Sequence, residues 1–393
     1  MDTMPSLRAE VAVHFGELLD LASTSFARLV GSFLDRDSEH PVLPLLEIRG
    51  DDELLQYAAL GFPNLHTLFW DLMSEPSIVP PLYWKALSKL TSIQLTLSDR
   101  FDAAMVLAGF ESLRLLRSVV VRFATRPADL SAFSRMEHLT ALDLHSSREQ
   151  QYTEQDLISL RACERLQVLR LRPVTFPEIG LSKLLRPLGD ASLPVFTHLT
   201  ELDCLPRMND DFTPLLLLVP SLQTLYLDFI GGDLSFLPQL ASLTSLCLRF
   251  ATISVKPLEL TQPDPNAQVD ALIACRSLRK LAIQWSIVAS DHLSRLLTSS
   301  SLKDLRLMAC EHLQSHSFLR SASALQSLEL DRCAPAPVAA DFVALELLQE
   351  LRSLKIASTS TVEDSVLVPF GVPSVSMPNL RFFEFKKTHR MWM

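Results

Sequence analysis

Glycine is scarce in this chain of 393 residues, with 10 in all, and none falls in a GxGxxG, GxxxxGKS/T or GxSxG pattern. That removes the glycine-rich loops that let a backbone approach phosphate, and the strained elbow that presents a nucleophilic serine. HExxH is also absent. The six cysteines, Cys163, Cys204, Cys247, Cys275, Cys310 and Cys333, form no CxxC or other short pair, which excludes zinc-ribbon and thioredoxin-type chemistry. Long apolar runs are missing too. Leu215 to Val219 is far too short to cross a bilayer, so no membrane association is expected. Basic residues are outnumbered, 36 against 45, for a net charge of −9 and a pI near 5.6. Nucleic acid is therefore not the expected partner, because phosphate binding needs a surplus of Lys and Arg. Met1 to Glu10 carry Asp2 and Glu10 and no apolar stretch of signal-peptide length. Free thiols in a reducing cytoplasm or nucleus are the expectation.

What the chain has is leucine, about a fifth of all residues, and its placement is periodic. A motif L-x-x-L-x-L recurs thirteen times. It reads LHTLFW from Leu65, LTSIQL from Leu90, LRSVVV from Leu116, LTALDL from Leu139 and LQVLRL from Leu166. It continues as LTELDC from Leu199, LQTLYL from Leu222, LTSLCL from Leu243, LRKLAI from Leu278 and LKDLRL from Leu302. LQSLEL from Leu325, LRSLKI from Leu351 and LRFFEF from Leu380 complete the series. Most starts are 21 to 29 residues apart, with longer gaps after Leu166 and Leu243.

In L-x-L the two leucines point to one face of a strand and the middle residue to the other. One such strand per repeat, stacked in parallel, buries a continuous leucine face that no single repeat could bury alone. The segments between strands must return on the far side as helices or irregular turns. Their own apolar residues, such as Leu157 and Leu160, or Leu293, Leu296 and Leu297, are expected to close the core. Pro-rich insertions at Pro173–Pro194, Lys256–Pro265, Pro335–Pro337 and Ser358–Pro378 are expected to bulge from one edge.

On these motifs the chain resembles the leucine-rich repeat superfamily, and within it the cysteine-containing class. There a Cys, Asn or small polar residue follows the last strand leucine by three positions. Cys310 and Cys333 hold that place here, as do Ser98, Ser147, Ser286 and Thr359; Ala124, Val174, Ile230 and Ala251 depart from it. YTEQDLISLRACERLQVLRL, from Tyr152, follows the class consensus, with Cys163 three residues before Leu166 and Cys275 likewise before Leu278. The resemblance implies an α/β leucine-rich-repeat solenoid, a horseshoe with a parallel concave sheet, a helical or irregular convex side and a helical N-terminal cap. The domains read as a cap or degenerate F-box over residues 1–45 and a solenoid of about thirteen repeats over 46–393. The cysteine thiols are expected to fill the interior and bond to turn backbone.

Residues 4–34 carry apolar residues at helical spacing, and ELLDLASTSFARLVGSFL from Glu17 resembles the second half of an F-box. Leu19-Asp20-Leu21 and Ser25-Phe26 stand in the family's order, and PLLEIRG from Pro44 resembles the usual exit. The opening Leu-Pro is absent, Met4-Pro5 being the nearest substitute. The resemblance implies a Skp-type linker docked through Leu19, Leu21, Phe26 and Leu29, and a cullin-based ubiquitin ligase beyond it. A plain helical cap, on a structural scaffold or complex subunit, accounts for the same residues.

No catalytic constellation stands out, so no enzyme, cofactor or metal is expected. His312 and His316 are spaced i, i+4, without a carboxylate or thiol to complete a ligand set, and read as an exposed loop pair. A partner-binding surface is expected instead on the outward strand positions, two, four and six residues after each first leucine. The middle column runs Phe69, Gln94, Val120, Asp143, Arg170, Asp203, Tyr226, Cys247, Ala282, Arg306, Glu329, Lys355 and Glu384. Arg122, His145, Arg170 and Arg172 make a basic group, and Tyr226, Asp228 and Arg249 another, with Arg306 and Glu329 further on. Arg and Tyr are enriched at binding hot spots; the same alternation of charge also serves solubility and cross-strand pairing.

Overall fold

The computed structural model of the chain describes residues 45–49, 65–72, 84–85, 87–97, 103–123, 130–150, 159–160, 162–174, 196–204, 219–228, 234–249, 252–253, 264–310, 313, 315–333, 347–358 and 379–387. The helical cap or F-box expected over residues 1–45, with Leu19, Leu21, Phe26 and Leu29, lies outside them, apart from Leu45 itself. So do most of the Pro-rich insertions and His312. The chain divides into two compact units, Met1–Pro177 and Glu178–Met393.

In the first unit the strands are β1 (Leu45–Arg49), β2 (Thr67–Leu72), β3 (Ser92–Leu97), β4 (Ser118–Phe123), β5 (Ala141–Gln150) and β6 (Val168–Val174). Each pairs in parallel with the next, β1 through β6. The second unit holds β7 (Glu201–Cys204), β8 (Thr224–Asp228), β9 (Ser245–Arg249), β10 (Thr252–Ile253), β11 (Lys280–Gln284), β12 (Ile287–Val288), β13 (Asp304–Met308), β14 (Ser327–Asp331), β15 (Ser353–Ser358) and β16 (Phe382–Lys387). Its main sheet runs β7-β8-β9-β11-β13-β14-β15-β16, all parallel. The short β10 and β12 pair separately behind it. All thirteen motifs therefore form strands. The fold is a leucine-rich repeat solenoid.

β1 adds a strand ahead of the thirteen. PLLEIRG resembles an F-box exit in sequence, yet Leu46 and Ile48 stand in register with Leu68 and Trp70 as repeat leucines would. At the other end, β16 runs on through Lys386 and Lys387.

Burial follows the period of two. Along β3 (SIQLTL) and β14 (SLELD) every second residue is buried and the rest are partly exposed. Leu68, Ile93, Val119, Leu142 and Leu169 are all sealed in the first unit, as are Leu202, Leu305, Leu328 and Leu354 in the second. Register is held by a device repeated between neighbouring motifs within each unit. The N–H groups of the two residues ahead of a strand's core both donate to one carbonyl of the preceding repeat. Arg117 and Ser118 give theirs to Thr91 at 2.7 and 3.0 Å, and Gln326 and Ser327 theirs to Lys303 at 2.8 and 3.0 Å. A one-residue slip would turn every leucine outward and break these forks together.

The returns are short and varied. α1 (Ala103–Gly109) runs into a 3-10 turn at Phe110–Ser112, and further 3-10 turns lie at Leu130–Arg135, Leu237–Gln239 and Ser317–Ser321. α2 (Pro265–Ala274) starts on Asp264, whose carboxylate accepts the Asn266 N–H at 2.9 Å, with Pro265 at the first helical position. α3 (Ser290–Ser299) buries Leu293, Leu296 and Leu297 against the core, as their spacing predicts. Leu160 is buried on its own return.

The cysteines behave as interior residues. Cys310 Sγ donates to the Ile283 carbonyl at 3.3 Å and Cys333 Sγ to the Leu307 carbonyl at 3.3 Å, one repeat further on. Cys163 Sγ donates to the Phe133 carbonyl at 3.2 Å. Cys275 instead lies 4.0 Å from the Ser277 hydroxyl. All five described thiols are free, and burial pushes that of Cys163 up to about 12. Ser286, in the same place as Cys310 one repeat earlier, is buried and donates to the Gln284 carbonyl at 2.6 Å.

Candidate functional site

Parallel pairing sets the outward residues in straight columns across the strands of each unit, the register of β5 and β6 shifting only beyond His145. In the first unit the middle column runs Phe69, Gln94, Val120, Asp143, Arg170. Beside it, Arg122 on β4, His145 on β5 and Arg172 on β6 are consecutive neighbours. Arg122 and His145 are exposed and Arg172 is partly so. This is the basic group expected from the sequence, brought together on three adjacent strands. The Arg170 guanidinium, in the neighbouring column, meets the Asp143 carboxylate at 3.2 Å on the adjacent strand.

In the second unit the middle column is Asp203, Tyr226, Cys247, Ala282, Arg306, Glu329, Lys355, Glu384. Its two ends differ in character. On β7 to β9, Arg249 reaches past Tyr226 to Asp203, making a 2.7 Å ion pair, with its guanidinium 5.9 Å from the Tyr226 ring centroid. Asp203 lies on the outward column yet is wholly buried, and the Arg249 side chain is only 17% exposed. Arg249 thus spends its charge inside the protein. Asp228 stands in register with Arg249 at the end of β8.

From β13 onward the column is wet and alternates in sign. Arg306 faces Glu329 at 3.7 Å and Asp304 at 3.5 Å, and Lys355 faces Glu384 at 3.9 Å. Lys355 also lies 5.6 Å from the exposed Phe382 ring. These exposed pairs contribute little to stability, about 0–1 kcal/mol each.

Two residues outside the expected columns join this face. Trp285 and Arg332 each follow the last residue of their strand, β11 and β14. Trp285 is 49% exposed, and the Arg332 guanidinium sits 5.4 Å from its ring centroid. Outward positions counted at two, four and six stop one residue short of them. The signal that could have found them is the lone Trp of QWS from Gln284, where the neighbouring repeats carry Ala309 and Arg332.

His316 is a correction. Instead of an exposed loop residue it is fully buried at the entry to the Ser317–Ser321 turn, its ring 5.9 Å from that of Phe318. The return packs this short turn against α3, so a residue read as polar loop becomes core. No group of three or more His, Cys, Asp or Glu among the described residues could hold a metal ion. No described helix is long and apolar enough to cross a membrane.

Comparison with known proteins places the chain beside solved repeat structures at low identity. One is a leucine-rich repeat protein from Leptospira interrogans, with 13% identity, a TM-score of 0.40, and 91% of this chain and 97% of that one covered. Another is an internalin from Listeria monocytogenes, at 12% identity and a TM-score of 0.36, covering 93% and 89%. A third is TLR13 in complex with ssRNA13, at 16% identity and a TM-score of 0.48, covering 86% of this chain and 47% of that one. No protein-family model and no curated protein matches the sequence.

Proposed function

We propose that the chain is a non-catalytic interaction module that grips a protein partner on the outward face of its sheet. The observation that carries this is the row Arg122, His145, Arg172, set on three adjacent strands by a register that holds as far as His145 and Arg172. A carboxylate-bearing partner could be held there bidentately by arginine. The leucine side of the sheet is sealed, which leaves the outward face as the surface with varied chemistry. Five free thiols support a reducing location, the cytoplasm or nucleus.

The finer reading is an adaptor. Residues 4–34 would dock a Skp-type linker through Leu19, Leu21, Phe26 and Leu29, and the repeats would present a substrate to a cullin ubiquitin ligase. The order Leu19-Asp20-Leu21 then Ser25-Phe26 supports it.

Affinity capture with mass spectrometry tests both readings on three full-length chains: the natural one, Leu21→Asp with Phe26→Asp, and Arg122→Glu with Arg172→Glu. The adaptor reading expects linker and cullin to disappear only with the first pair of substitutions, and substrate only with the second. A partner set unchanged by the first pair would make the chain a scaffold without a ubiquitin role. One unchanged by the second would move the binding surface elsewhere.

A further inference from the structure

Trp285, Ala309 and Arg332 all have left-handed backbones, at φ 54°, 49° and 52°. They are equivalent positions of three consecutive repeats, and each donates its N–H to the end of the next strand: Trp285 to Met308, Ala309 to Asp331 and Arg332 to Ala357, at 2.7 to 2.8 Å. The turn demands this conformation, for which glycine or asparagine is the undemanding choice. A tryptophan there carries backbone strain, of the kind that the surrounding structure must hold in place and that clusters at binding sites. Nor does burial account for it, because almost half of the side chain faces water. Such a residue weakens the fold and the solubility at once, so its use lies in contact with something else.

The surroundings define that contact. In register, Ala282 neighbours Arg306, and Gln284 neighbours Met308. Trp285 therefore walls a low shelf of Gln284, Met308 and Ala309, with Ala282 one outward place further along β11. Arg306 and Arg332 border the shelf. Their carboxylate partners sit deeper, at 15% exposure for Asp304, 24% for Glu329 and 18% for Asp331, against 52% and 39% for the two arginines. The acids orient the guanidinium groups and leave their outer edges to solvent. What projects is thus cationic and aromatic, above a floor that is apolar except for Gln284.

We infer that this shelf binds an extended peptide segment that places an aromatic or aliphatic side chain against Trp285 and a carboxylate on Arg306 and Arg332. By residue rise and strand spacing, Arg306 lies about 11 Å from both Trp285 and Arg332, a distance spanned by three or four extended residues. Single-stranded nucleic acid is the weaker fit, since a peptide can set a single carboxylate against each guanidinium, whereas a continuous line of phosphates would also have to pass Asp304, Glu329 and Asp331. The inference rests on the protein-binding reading above and assigns it a partner chemistry.

The test is fluorescence anisotropy on the full chain with a labelled nine-residue peptide, glutamates flanking a central phenylalanine. Controls are the same peptide with lysine for glutamate, one with serine for phenylalanine, and a nine-nucleotide RNA. Trp285→Gly relieves the left-handed strain, so the variant keeps or raises its melting temperature and remains interpretable. The inference expects the glutamate peptide to bind at least tenfold tighter than either altered peptide. It also expects at least tenfold loss in Trp285→Gly and in Arg306→Glu with Arg332→Glu. Equal binding of all peptides, no effect of Trp285→Gly, or RNA binding in preference to peptide overturns it. Failure here alongside a protein still captured by the natural chain and lost with Arg122→Glu and Arg172→Glu removes only this shelf. Failure of both removes the protein-binding reading with it.

Discussion

Asp203 on β7 and Arg249 on β9 meet at 2.7 Å across the strand between them, with the carboxylate fully buried and the guanidinium nearly so. An ion pair on the outward side of a sheet is ordinarily a surface feature of small worth. This one has been taken out of water, which changes its energetics. Removing Arg249 alone leaves a buried charge without its main counter-ion, at a cost of about 3–5 kcal/mol. Replacing both partners by apolar residues of similar size can be close to neutral. Urea unfolding of Arg249→Met and of Asp203→Leu with Arg249→Met checks this. The double variant is expected to recover most of the stability lost by the single one, and a double variant as unstable as the single would show that Asp203 is held chiefly by other groups.

Gly109 closes α1 in ordinary helical conformation, so its role is space and not backbone freedom. A Cβ built there would stand 2.0 Å from Cδ1 of Trp84. Trp84 is itself fixed, fully buried, with its ring 6.0 Å from that of Trp70 and 5.1 Å, edge-on, from that of Phe110. A methyl group forces this aromatic set apart, and overpacking of this kind costs about 1–3 kcal/mol. Gly109→Ala is expected to lower the unfolding free energy by that amount and the urea midpoint with it, although alanine is the better helix former. A midpoint that rises would mean that Trp84 has room to turn.

The strands and their columns were legible because leucine at period two is a one-dimensional signal: thirteen motifs read from Leu65 to Leu380 became thirteen strands, with the outward residues at the stated places. β1 was obscured by its likeness to another module, although Leu43, Leu46 and Ile48 keep the repeat spacing. Depth was not legible. Asp203 and Glu329 occupy the same column position, yet one is sealed and the other is wet, because depth depends on what lies over the strand and not on the strand's own pattern. His316 misled for the same reason: the returns carry no period that separates a buried ring from a loop. Trp285 escaped because its importance is conformational, and a left-handed residue one place beyond a strand leaves no mark in a hydrophobic pattern.

The Cys163 thiol gives a prediction in pH. Burial raises it from 9.0 to about 12 in the folded chain, so the folded state holds a proton that the unfolded chain releases at lower pH. Its contribution to stability is complete below pH 9 and is lost as pH rises from there toward 12, at up to about 1.4 kcal/mol per pH unit. Urea midpoints of the natural chain and of Cys163→Ala, taken at pH 8 and pH 10, are expected to converge, the variant losing less on the alkaline side. Parallel decline in both would assign the alkaline loss to other groups.

Ser290 joins one return to the next. Its hydroxyl donates to the Ser315 carbonyl at 2.5 Å and accepts the Ser315 N–H at 3.2 Å, while its side chain is buried at the first position of α3. One oxygen therefore satisfies both polar groups of a backbone segment that leads straight into buried His316 and Phe318. Ser290→Ala keeps the helix and removes the link, leaving a donor and an acceptor to find water at a buried place, with an expected cost of about 1–3 kcal/mol. Hydrogen exchange distinguishes this from a general loss of stability. Faster exchange confined to residues 315–321 and the first turn of α3 is the expected result, whereas uniform acceleration across β13 and β14 would show that the two returns unfold with the sheet and that the serine does not join them separately.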